Sequence, residues 1–190
     1  MTTRGGWRVD RSAAPEPGCY GAQVSQPRIR TDRLELRPLP AAAAAALPDD
    51  RRTAARLIGA ILPPSWPQPD LLDALPIQAG ATRLREPYGI WLMVELASGT
   101  VLGDIGFMGP PDALGSVETG YGVIPERRRQ GYAGEALAAI LRWVRAEQGV
   151  HAIVARCEAA NEPSIRVLRR AGFRRTGTDD DGMQVWRLDA

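Results

Sequence analysis

The sequence predicts one α+β domain around a single mixed sheet. Three observations carry this. The apolar period is two from Tyr88 to Ile124, as in half-buried strands. Ala133, Ala136, Leu137, Ile140 and Val144 then form a helical stripe. The elements follow in the order strand, helices, three strands, helix, strand, helix, strand, strand, which suits one sheet with helices packed on it. The 190 residues are one domain's worth with a loose tail.

Residues 1–27, rich in Gly, Pro, Ser and Ala, read as an irregular or flexible N-terminal arm. In RLELRPLP, the alternation of Leu34 and Leu36 gives a first strand, closed by Pro38 and Pro40. The alanine run at 41–46 favours helix. Pro48 breaks it, and Asp49 or Asp50 can cap a second helix over residues 50–61. Five prolines among residues 63–76 imply a turn and a short helix from Asp70 to Leu75, with Trp66 exposed. IWLMVEL, the turn ASGT and VLGDIGFM make a hairpin. SVETGYGVI places Val117, Thr119, Tyr121 and Val123 on one face, and Glu118, Gly120 and Gly122 on the other. Gly149 is expected to stop the long helix. HAIVARCEA is a strand, and NEPSIRVLRRAGF a helix capped by Asn161, with Pro163 in its first turn and Gly172 at its end. Strands near 173–178 and 183–188 flank the turn DDDG.

Composition excludes several chemistries. All 24 basic residues are Arg, so neither a GxxxxGK[ST] phosphate loop nor a Schiff-base lysine is available. Two cysteines, Cys19 and Cys157, and the single His151 cannot build a zinc cluster. No GxSxG motif accompanies His151, which reads as structural or surface. There is no secretory h-region and no run of 18 apolar residues, so the expected compartment is the cytoplasm, with no membrane contact.

The chemistry concentrates at the strand-to-helix junction GYGVIPERRRQGYAGEAL. Small residues at 131, 133 and 134 let a ligand approach the backbone. The first-turn N–H groups have no intrahelical partner, and the helix dipole adds positive charge there. This suits a pyrophosphate. Gly120-Tyr121-Gly122 is not a dinucleotide fingerprint, since Pro125 stands where the third glycine would be.

Four motifs in order resemble the GNAT N-acetyltransferase superfamily, in its RimJ/RimL-like branch. Arg128-Arg129-Gln130-Gly131-Tyr132-Ala133 resembles its acetyl-CoA motif [QR]-x-x-G-x-[GA]. Residues 29–38 resemble its opening strand, Glu118-Thr119-Gly120-Tyr121 its E-x-G-Y strand, and Asn161-x-x-Ser164 with Ala171-Gly172-Phe173 its N-x-x-S…G-F helix. The match covers about residues 29–178. The resemblance implies a mixed, mostly antiparallel twisted sheet of about six to seven strands, splayed at the cofactor site. It makes residues 28–190 the acetyltransferase domain.

The resemblance also implies roles. The pyrophosphate of acetyl-CoA would lie on N–H groups of Arg128, Arg129, Gln130, Gly131, Tyr132, Ala133 and Gly134. The pantetheine arm would run between strands 116–124 and 151–158. A main-chain N–H near Tyr121–Val123 would polarise the thioester carbonyl. The acceptor amine, on a small molecule or a protein N-terminus, would attack directly. Glu118 is the candidate base, or else a structural or acceptor-binding carboxylate. Asn161 would both cap its helix and touch the cofactor arm. Leu168 stands where many family members have a general-acid Tyr, leaving Ser164, the nearest hydroxyl, as the candidate acid implied by the resemblance, or else a helix-surface residue. Cys157 reads as a buried hydrophobe, not a nucleophile. Trp66, Trp91, Tyr88 and Trp186 could line the acceptor side or pack in the core. No metal is implied, and homodimers are common in the branch.

A second reading is a non-catalytic acetyl-CoA sensor or interaction domain. A third, an Arg-mediated nucleic-acid binder, is weaker because CoA phosphates account for the arginines. Residues 125–175 hold 11 Arg and five Glu, and the remainder 13 Arg and 17 acids. The net charge of +2 thus conceals a basic half and an acidic remainder suited to a cationic amine.

Overall fold

The computed structural model describes residues 27–80 and 86–190. The expected arm, but for residue 27, lies outside them, as does Cys19. Eight strands form one sheet: β1 (Ile29–Arg30), β2 (Leu34–Pro38), β3 (Ile90–Glu95), β4 (Val101–Phe107), β5 (Ser116–Val123), β6 (Ala152–Cys157), β7 (Arg174–Thr178) and β8 (Gln184–Asp189). Their spatial order is β1-β2-β3-β4-β5-β6-β8-β7. Every neighbouring pair is antiparallel except β5 and β6, which are parallel. The strand beyond the expected range is β1, two residues paired with Leu36 and Glu35, too short for periodicity to mark.

Five α-helices accompany the sheet among the described residues: α1 (Ala41–Ala46), α2 (Arg51–Ile58), α3 (Pro69–Ala79), α4 (Tyr132–Arg145) and α5 (Glu162–Arg170). α2 starts at its cap, where the Asp50 carboxylate accepts the Thr53 N–H at 2.9 Å. Its last residue is Ile58, three residues before the expected stop, and Gly59 caps it in the left-handed region. α3 extends past the expected Leu75 and through Pro76, held by its buried Gln78. The Gln78 amide donates to Leu39 O at 2.8 Å and accepts the Ile90 N–H at 3.1 Å, tying α3 to the residue after β2 and to the start of β3.

Ala136, Leu137, Ile140 and Val144 of α4 are buried, as the stripe predicts. The Trp143 ring packs at 5.2 Å from that of Trp91 and 6.0 Å from that of Phe107, seating α4 on the face of the sheet that carries those side chains. α4 stops at Arg145 rather than at Gly149, which turns the chain toward β6. α5 is capped as expected: Asn161 Oδ1 accepts the Ser164 N–H at 3.1 Å. Trp66, expected exposed, is fully buried with Trp91, so the proline-rich turn folds inward.

Candidate active site

The site lies where the sheet opens. β5 and β6 pair from Ser116 opposite Ala152 to Thr119 opposite Ala155. Both strands continue, through Gly120–Val123 and through Arg156 and Cys157, without further pairing to each other. Backbone groups on the facing edges are left for another partner. An extended, amide-bearing ligand can serve as the missing strand.

A cavity of about 520 Å³ occupies this opening, within the size range of small-molecule sites. It is lined by Asp104, Gly120 and Gly122 from one face of the sheet and by Tyr121, Ser164 and Leu168 from the other. The cavity thus passes through the sheet at the splay. Its floor is glycine by necessity at one point: a Cβ on Gly106 would lie 2.2 Å from Gly89 O. Gly106 faces Gly120 and Asp104 faces Gly122 across the β4–β5 ladder, so these four positions share one surface.

The turn expected to cradle an anion lies just beyond β5. Arg129 has φ 62° and Gly131 φ 86°, both left-handed. Glu135 donates its N–H to Gly131 O at 3.1 Å as the helical ladder begins, and no side chain caps the helix. The N–H groups of Tyr132, Ala133 and Gly134 precede that ladder. With the left-handed turns they make a concave cluster of donors suited to a pyrophosphate.

The arginines do not all face this cradle. Arg127 pairs with Glu95 at 3.3 Å. Arg128 Nε donates to Val123 O at 2.9 Å, and its Nη2 to Gln68 Oε1 at 2.7 Å. Gln130 O accepts from Arg33 Nη1 at 3.0 Å. Arg33 also pairs with Glu135 at 2.7 Å, clamping the β1–β2 turn onto α4. The Tyr132 side chain is turned inward, its hydroxyl donating to Glu95 Oε1 at 2.8 Å beneath the Arg33 guanidinium. Only the Tyr132 backbone is left for a ligand.

Glu118 is half-buried, and its Oε2 accepts from Arg156 Nη1. Arg156 also pairs with Asp179 at 3.2 Å. These partners, chiefly the Glu118 hydrogen bond, push the Arg156 guanidinium above its ordinary value. The ion pair holds Glu118 through Oε2, and Glu118 is not among the residues that line the cavity.

At the other mouth, the Tyr121 hydroxyl donates to Ser164 O at 3.3 Å, and burial pushes the phenol up to about 12. Tyr121 is thus a neutral hydroxyl beside Ser164. Cys157 is buried and its thiol pushed up by burial, as suits an inert packing residue. Leu168 and Trp186 are also buried, while Tyr88 lines the cavity.

Asp104 was missed in the sequence. It faces the cavity from β4, with Trp66 Nε1 donating to its Oδ2 at 2.9 Å. Burial, opposed by that hydrogen bond, pushes its carboxyl up to about 6. A signal existed: Gly103-Asp104-Ile105-Gly106 sets an acid between glycines in an apolar strand.

These features define an acyl-transfer fold, and the acetyltransferase (GNAT) domain family matches residues 33–174. The chain belongs to the GNAT acetyltransferases. A Bacillus subtilis protein named as the uncharacterized N-acetyltransferase YjdG is 28% identical over 151 residues, 76% of this chain and 88% of that one. A ribosomal-protein-S5-alanine acetyltransferase from Vibrio fischeri shares the fold at TM-score 0.61 and 16% identity, over 85% of this chain and 96% of that one. Mycobacterium smegmatis RimJ in complex with CoA-disulfide does so at 0.57 and 24%, over 83% and 82%. No described helix is long and apolar enough to cross a membrane.

Proposed function

We propose that the protein transfers an acetyl group from acetyl-CoA directly to a primary amine, in the manner of the RimJ/RimL-like branch. The observation that carries this reading is the splay: pairing stops at Thr119 and Ala155 with a through-sheet cavity beyond it and the α4 N-terminus directly downstream. A RimJ of the same fold holds CoA-disulfide, which supports the donor.

The donor supplies an acyl group activated as a thioester. The turn at Arg128–Gly131 and the N–H groups of Tyr132, Ala133 and Gly134 hold its diphosphate. The open edges of Gly120–Val123 and Arg156–Cys157 align the pantetheine arm. A main-chain N–H of the Tyr121–Val123 edge polarises the acyl carbonyl. Asn161 fixes the start of α5 and offers its carboxamide to the arm. Ser164, with the Tyr121 hydroxyl beside it, stands where a departing sulfur can be protonated, although a thiol with an ordinary pKa of roughly 8.5 leaves tolerably unaided. Glu118 serves the acceptor side, as base or as a binding carboxylate.

A thiol-release screen over N-terminal peptides, polyamines and aminoglycosides tests the reading. Release with at least one class is expected. Tight acetyl-CoA binding with no release on any amine would favour the sensor reading instead.

A further inference from the structure

Resting on the transferase reading, the geometry points to Asp104 as the carboxylate that receives the acceptor's ammonium and takes its proton, with the acceptor a primary amine on a largely apolar body. Asp104 has one oxygen committed and one available. Oδ2 accepts the Trp66 indole N–H. Oδ1 is the oxygen nearest Gly122, 3.7 Å from where a Cβ would stand there. Gln68 Nε2 stands 3.4 Å from that same point, so the carboxylate oxygen and the amide share the space a Gly122 side chain would fill, both lining the cavity.

Glu118, unlike Asp104, does not line the cavity. Its Oε2 is held by Arg156. Glu118 and Gly122 are four residues apart on β5, about 13 Å at ~3.3 Å per residue. The two carboxylates therefore stand well apart along the sheet, and of the two Asp104 lines the cavity.

The groups facing Asp104 make its end of the cavity acidic. α3 contributes Asp70, whose charge raises the Asp104 pKa. The turn before α3 contributes the Trp66 N–H and the neutral Gln68, whose carbonyl oxygen is taken by Arg128. β5 contributes only Gly122, and β3 only the buried Leu92 opposite. A cation is the natural complement. Leu71, Ala74 and Ile77 of α3 and Met108 at the strand end add apolar lining. A carboxyl near 6 is ionised at neutral pH yet basic enough to accept a proton in a transition state.

In the step, one ammonium proton passes to Oδ1. The freed nitrogen pair forms the C–N bond as the thioester C–S bond breaks. A second amine proton goes to the departing sulfur, and Asp104 releases its own to water.

The test is Asp104→Asn, which keeps an oxygen for the Trp66 indole. With an amine that the wild type turns over, kcat/KM is expected to fall roughly 10²- to 10⁴-fold. Acetyl-CoA affinity by calorimetry should stay within about twofold, and the acidic limb of the pH profile should vanish. In parallel, the carboxyl ¹³C resonance of Asp104 in the wild type should titrate to a lower midpoint when the amine is added, a readout that needs no variant. An active wild type whose variant keeps kcat/KM within about threefold, or an Asp104 resonance indifferent to the amine, overturns the inference alone. A wild type that binds acetyl-CoA and releases no thiol with any amine overturns the transferase reading and this inference with it.

Discussion

The indole Nε1 of Trp66 donates to Oδ2 of Asp104 at 2.9 Å, joining the proline-rich turn before α3 to the middle of β4. This bond fixes one carboxylate oxygen and leaves the other toward the cavity. It also stabilises the ionised form of a group that burial disfavours.

Asp104 should therefore burden stability at neutral pH. Its pKa is raised on folding from 3.8 to about 6, so the folded state holds the proton more tightly. Stability should be free of this burden below pH 3.8, decline as pH rises through that window, and level off above about 6. Asp104→Asn should raise unfolding free energy at pH 7.5 by about 3 kcal/mol at most. The gain should vanish near pH 3.5, and urea titrations at a series of pH values measure both. A site that lowers stability in this way is a common cost of function.

Tyr132 anchors the start of α4 through Glu95 rather than through a ligand. Hydrogen bonds from Ser98 and Tyr132 hold the Glu95 carboxyl below its ordinary 4.5. That contribution is present above the ordinary value and is lost as pH falls through the lowered one. Tyr132→Phe should cost about 1–2 kcal/mol at pH 7, with the difference narrowing as acid pH falls through the lowered Glu95 value. Thermal melts at the two pH values decide it.

Asn161 combines two contributions that substitution separates. Asn161→Ala removes the cap of α5 and should cost about 1 kcal/mol of stability. Asn161→Asp keeps the cap but loses the amide N–H donors. Weaker CoA binding in Asn161→Asp, with stability unchanged, would locate the carboxamide at the cofactor arm. Unchanged binding would leave it a cap alone.

Gly131 sits at φ 86°, and a Cβ there would lie 3.4 Å from Arg33 Nη2. Gly131→Ala should cost roughly 1–2 kcal/mol from the left-handed backbone. By disturbing the donor cluster it should also weaken CoA binding about tenfold, equivalent to about 1.4 kcal/mol. Calorimetric titration reads the affinity directly.

The parts legible in the sequence are those set locally. The α4 stripe, the Asn161 cap and the alternation of β5 each depend on residues within a few positions of one another. The cradle at Arg128–Gly134 was legible because it is one contiguous turn. The rest depends on pairing between distant segments. Glu118 and Arg156 meet only because Glu118 lies opposite Val154 in the parallel β5–β6 ladder, a register no local pattern fixes. Trp66 looked exposed because prolines usually mark surface turns, and its acceptor stands 38 residues away. The inward course of Tyr132 was hidden for the same reason, since Glu95 lies on β3.

The central claim is that donor and acceptor meet in one cavity and the acyl group passes directly between them. Initial velocities measured over a grid of acetyl-CoA and amine concentrations test it most directly. Intersecting double-reciprocal lines are expected, because both substrates must be bound before the C–N bond forms. Parallel lines, the signature of a covalent acyl-enzyme formed before the amine binds, would contradict the account.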